Sequence, residues 1–173
     1  IGDISEKDGK AVEAQISEAG GQALFVRLDV TEESDWTNAV DQAVSRYGKL
    51  DVLVNNAGIS SRAFTDDTGI DAWDRIMEVN SKGVFLGTRA AVPKMLEAGG
   101  GSIINISSIM GLVGSAGGHP AYTASQGALR IFPKAMAVSH GKDNIRVHSA
   151  HPGVKPPMAS GIAHHHDQRP RRP

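Results

Sequence analysis

Ser108 and Tyr122 are the side chains of this 173-residue chain best suited to move a proton. Ser108 follows a β-branched run, Ile103-Ile104-Asn105-Ile106, of the length and composition of a buried parallel strand. A Gly-rich loop then leads to Tyr122, where a helical pattern begins. Ligands of an open parallel sheet bind outside the carboxyl ends of its strands, so the two hydroxyls are expected to meet at one cleft edge. Such a pair suits proton transfer to or from a substrate oxygen. A free phenol titrates near about 10, so it needs help to work near neutrality. Gln126, one helical turn beyond Tyr122, can hydrogen-bond but brings no charge.

The elements that must position these groups alternate along the chain. Residues 1–4 read as the tail of a strand closed by Asp3, and residues 5–19 as a helix with Ser5 as N-cap and Gly20-Gly21 as its stop. A strand is predicted over 23–30 and a helix over 31–47, capped by Thr31 and ended at Gly48, with Trp36, Val40 and Val44 on its buried face. A short apolar strand over 50–54 runs directly into Asn55-Asn56-Ala57-Gly58. One long helix is expected over 70–98, interrupted in composition by Asn80, a poor helix-interior residue. The strand before Ser108, a helix over 124–139 containing Pro133, and a last strand over 144–149 leading to His151-Pro152-Gly153 complete the pattern. Strands alternating with helices predict an α/β, Rossmann-like, doubly wound parallel sheet.

Ser108, Tyr122 and the Asn-Asn-Ala-Gly run together resemble the short-chain dehydrogenase/reductase family, whose signature is a Ser followed by Tyr-x-x-x-Lys; the Lys position here holds Gln126. The resemblance covers nearly the whole chain to about Met158. It implies that Ser108 orients the substrate oxygen, with neighbouring Ser107 as its control, and that Tyr122 is general acid in reduction and general base in oxidation. It also implies that Asn80 locally disrupts its helix to support a proton relay. Gln126 would keep the ribose hydrogen bond of the family's Lys without its charge. The cofactor would lie across Asp3, Asp29, Val30, Asn56, Ala57, Gly58, Tyr122, Pro152 and Gly153. An acidic residue such as Asp3 accepts from ribose hydroxyls and repels a 2′-phosphate, which favours NAD over NADP. Asp3 and Asp29 read equally as turn formers. The wording from Phe85 through the Ser108 loop is similar to members acting on cyclic alcohols, ketones and hydroxysteroids, and the family's usual pairing implies a homodimer or homotetramer.

The implied reaction is interconversion of a secondary alcohol and a ketone by hydride transfer. The alternative is a catalytically silent binding or assembly module, favoured by Gln126, by Pro133, and by the absence here of the family's opening strand and Gly-rich phosphate turn. That opening strand is central in the family, so its neighbours are expected to expose unpaired edges. The C-terminal strand is likewise absent, and the chain reads as a piece of a longer protein.

Composition bounds the rest. A net charge of −1 gives no electrostatic reason to expect nucleic acid or an anionic membrane. With no cysteine, neither a disulfide framework nor a thiolate metal site is possible, and a cytoplasmic location is expected. No apolar run approaches the roughly 20 residues of a spanning helix. The expected organisation is one partial dinucleotide-binding domain over 1–158 and an irregular tail over 159–173. Adjacent histidines at 164–166 converge poorly on one ion, so no metal is assigned.

Overall fold

The computed structural model describes residues 1–60, 69–114 and 119–153. The segment 154–158 and the tail 159–173 with its three histidines lie outside them. The first strand, β1 (Gly2–Asp3), enters α1 (Glu6–Glu18) through Ser5, which accepts from the Asp8 N–H at 3.4 Å and donates to the Asp8 carboxylate at 2.7 Å. Gly20, at φ 83°, closes the helix, and the Gly20 and Gly21 N–H groups return to the Ser17 and Ile16 carbonyls.

The strand predicted over 23–30 narrows to β2 (Val26–Arg27), because β1 offers it only two residues to pair with. In α2 (Glu33–Tyr47) the cap is Glu32, without a side-chain bond, and not Thr31. Thr31 is buried and directs both its N–H and its hydroxyl hydrogen to Asp29, which turns its side chain toward the end of the preceding strand. Then follow β3 (Val52–Asn55), α3 (Ile70–Met77), a π-helical turn (Glu78–Lys82) and α4 (Gly83–Glu97). The single helix expected over 70–98 is therefore two helices hinged at Asn80. After β4 (Gly101–Ile106) and a 3₁₀ turn (Ile109–Gly111) come α5 (Pro120–His140) and β5 (Ile145–Ala150). Helix α5 begins earlier than expected, because His119 caps it and Pro120 suits a first helical position. It continues past Pro133, as α4 does past Pro93; each proline merely withholds one N–H from the helical ladder.

Strands β3, β4 and β5 pair in parallel in that order, while β1 and β2 form a separate parallel pair. Successive right-handed crossovers from β3 to β4 to β5 step the same way, so α4 and α5 cover one face. The core there joins Leu53, Ile103 and Val147 of the sheet to Leu86 and Met95 of α4. Between β1 and β3 lies a cleft of about 380 Å³, lined by Leu28, Val40 and Leu53 and by Asp3 and Asn56. Val52 and Val54 of β3 stand half exposed beside it. The architecture is Rossmann-like α/β with the unpaired edges that the sequence leads one to expect.

Candidate active site

Parallel strands send β3, β4 and β5 to a common carboxyl edge, and the motif residues follow directly from it. Ser107 is a structural residue: it is buried, and its hydroxyl donates to the Gln126 carbonyl at 2.9 Å, binding the end of β4 to α5. Gly111 makes this approach possible, since a Cβ there would meet the same carbonyl at 2.5 Å. Ser108 caps the 3₁₀ turn, its Oγ accepting from the Met110 N–H at 3.2 Å. An oxygen that accepts in this way keeps its own hydrogen for another acceptor.

Tyr122 lies in the first turn of α5, half-buried, and α5 packs against the turn that follows Ser108. Asn80 is not an exposed helix residue; it is 1% exposed, within the π turn. Its Nδ2 donates to the Ile59 carbonyl at 2.9 Å and to Ser125 Oγ at 3.1 Å, while its Oδ1 accepts from the Ile59 N–H at 2.8 Å. Ser125 in turn donates to the Tyr122 carbonyl at 2.8 Å. The loop after β3, the π turn and the Tyr122 helix are thus one hydrogen-bonded unit. Gly58 lets the loop close on it, because a Cβ there would crowd Asn80 Oδ1 at 3.3 Å. Gln126 is buried beside Ser125, with its carboxamide making no hydrogen bond among the described residues.

The residues expected to face a dinucleotide divide by environment. Asp3 Oδ1 accepts from the Ser5 N–H at 2.8 Å, the turn-forming contact, yet the residue is exposed and lines the cleft. The Asp29 carboxyl is held below its ordinary value first by the Thr31 N–H at 3.0 Å and then by the Thr31 hydroxyl at 2.7 Å. Val30 receives the Trp36 indole N–H at 3.0 Å and lines the same cleft with Asn56 and Ala57. Pro152 accepts from the Ile109 N–H at 3.0 Å, and Gly153 is exposed at the end of β5. Asp3, Val30, Asn56 and Ala57 line the slot between the unpaired edges of β1 and β3, while Ser108 and Pro152 meet at the neighbouring strand ends. Among the described residues no group of acidic or histidine side chains is arranged to hold a metal.

Two residues with no role in the motif reading belong to this site. Ser125 completes the Asn80–Tyr122 connection. His119 is 3% exposed; its Nδ1 accepts from the Ala121 N–H at 3.1 Å, and its Nε2 lies 3.0 Å from the Gly69 carbonyl. It thereby joins the start of α3 to the start of the Tyr122 helix. The His-Pro pair ahead of a helical pattern was the available signal, a capping side chain followed by proline. Ser125 carried none, because its role depends on a partner 45 residues away.

Residues 1–167 match the family pattern described as short chain dehydrogenase. The chain is 51% identical over 154 residues to a cyclopentanol dehydrogenase of Comamonas sp., covering 89% of this chain and 61% of that one. It is 51% identical over 163 residues to a 3-alpha-(or 20-beta)-hydroxysteroid dehydrogenase of Mycobacterium bovis, covering 94% and 61%. Among solved structures it is similar to a 3-ketoacyl-ACP reductase from Sinorhizobium meliloti 1021, with a TM-score of 0.80 at 36% identity over 86% of this chain and 59% of that one. The chain spans about three-fifths of the length of these curated relatives.

Proposed function

Because the chain belongs to the short chain dehydrogenase family, we propose that it is the core of an oxidoreductase interconverting a secondary alcohol and a ketone with NAD(H). The observation that carries this reading is the hydrogen-bonded unit of Ile59, Asn80, Ser125 and the Tyr122 backbone, on the helix that packs against the turn capped by Ser108. Ser108 donates to the substrate oxygen and orients it. In oxidation Tyr122 takes the hydroxyl proton as the carbinol hydrogen leaves as hydride, and in reduction it returns that proton to the carbonyl oxygen. The dinucleotide, when bound, accepts or supplies the hydride.

The residues present fit its adenosine end. Asp3 is exposed at the carboxyl end of β1 to receive ribose hydroxyls, and Asn56, Ala57 and Gly58 are exposed directly after β3, open to close approach. The Asp3 carboxylate disfavours a 2′-phosphate and hence NADP. Cyclic secondary alcohols and hydroxysteroids are the substrate class to examine, as the relatives' names indicate. We assign the protein to the cytoplasm and to a homodimer or homotetramer. Neither nucleic acid nor membrane is assigned as a partner; among the described residues no helix is long and apolar enough to cross a membrane.

Gln126 favours a second reading, a silent module that retains the scaffold. A cation near a phenol shifts its pKa by roughly 1–3 units. Restoring it with Gln126→Lys in the intact protein is expected to raise NAD-dependent oxidation of cyclic alcohols by one to several decades. Absence of turnover in the Lys form, across a panel of alcohols and ketones, would overturn the oxidoreductase reading in favour of the silent one.

A further inference from the structure

His151, the first residue past β5, stands half-buried against the turn that carries Ser108. Its Nδ1 lies 3.1 Å from the Ser108 carbonyl oxygen and its Nε2 lies 3.0 Å from Ser149 Oγ. A carbonyl can only accept, so the hydrogen of the neutral ring belongs on Nδ1 and the bare Nε2 accepts from the Ser149 hydroxyl. One backbone bond thereby selects the tautomer, and the Ser149 hydroxyl steadies the ring from its other side.

The bond also extends the sheet beyond its last rung. The Ser107 N–H donates to the Ala150 carbonyl at 2.8 Å, and the Ile109 N–H donates to the Pro152 carbonyl at 3.0 Å. The His151–Ser108 bond falls between these two. The Ser108–Ile109 peptide is therefore held through both its carbonyl and its N–H, while the Gly111 N–H shares that carbonyl at 2.9 Å and the Met110 N–H donates to Ser108 Oγ at 3.2 Å. Among the described residues the hydroxyl hydrogen has no acceptor, and it is the part that a substrate oxygen would use.

We propose that His151 is a positioning residue, whose Nδ1–H locks the Ser108 carbonyl and so aims the Ser108 hydroxyl at the reacting oxygen. The proposal rests on the oxidoreductase reading above for its effect on turnover, and on the ring geometry alone for its existence. Removing the lock leaves the hydroxyl in place but loosens its aim, and misplacement of about 1 Å costs on the order of a hundredfold.

The test exploits the two ring nitrogens separately. An Asn side chain offers an N–H near the Nδ1 position, whereas a Gln reaches toward the Nε2 position and leaves Ser108 unheld. In the intact protein, His151→Asn is expected to keep kcat within about threefold, while His151→Gln and His151→Ala lose roughly tenfold to a hundredfold with KM for NAD unchanged. Nitrogen-15 spectra of the unmodified ring are expected to show a protonated Nδ1 and a bare Nε2. Equal losses in all three variants, or an Nε2-protonated ring, would overturn the assignment. If neither the protein nor its Gln126→Lys form turns over any alcohol, the oxidoreductase reading fails. The ring spectrum then decides on its own whether the lock exists.

Discussion

Residue by residue, the site depends on polar side chains whose work is set by distant partners. Asn80 meets Ile59 and Ser125, and Asp29 is bonded to Thr31. The Asp29 carboxyl is depressed first by the Thr31 N–H and second by its hydroxyl. A depressed folded-state value contributes stability that is complete above the unfolded pKa, near about 4, and is lost as pH falls through the folded value. Thr31→Val removes the hydroxyl bond and is expected to move the Asp29 pKa up toward its ordinary value in a carbon-13 titration. An unchanged value would mean that the backbone N–H alone sets it. The sequence marked Asn80 as ill-suited to a helix and marked Asp29 as a turn residue. It did not show that Thr31 would abandon its capping role to serve Asp29.

Elements are held apart or together here at a few contacts, and Gly87 of α4 is one of the tightest. A Cβ at Gly87 would lie 2.6 Å from Asn55 Oδ1 and 2.7 Å from the Trp36 ring. Neither neighbour retreats readily, because Asn55 donates to Asn105 at 2.8 Å and Trp36 donates to Val30 at 3.0 Å. Gly87→Ala is therefore expected to cost about 1–3 kcal/mol, read as a lower denaturant midpoint. An unaltered midpoint would mean that α4 does not cross Trp36 this closely. Periodicity foresaw a helix in this stretch and the buried Trp36, but not the π turn that divides the helix. That division follows from Asn80 facing Ile59 and Ser125 at once, which is a tertiary demand.

At the scale of the whole molecule, apolar surface remains uncovered on α4 and α5. Phe85 is 48% exposed, Ile131 63% and Val138 87%, and Phe85 meets Phe132 edge-on at 6.4 Å. A shared apolar face of two packed helices fits the proposed self-association. Ile131→Glu, at a position that is not core, is expected to shift sedimentation toward the monomer without lowering the melting temperature appreciably. Sedimentation identical to that of the unmodified protein would remove this face from the interface. The cleft between β1 and β3 is the complementary feature, an open edge on each side of an apolar slot.

The sequence by itself determined the alternation of strands and helices, the parallel sheet, and the identities of Ser108, Tyr122 and the Asn-Asn-Ala-Gly turn. Those features are written in local periodicity, capping and short motifs. Only the tertiary structure decided that Ser107 braces α5, that Asn80 reaches Ser125 across 45 positions, and that His151 reaches Ser108 across 43. A buried polar group must find its partner wherever packing places one, and that distance along the chain leaves no local trace.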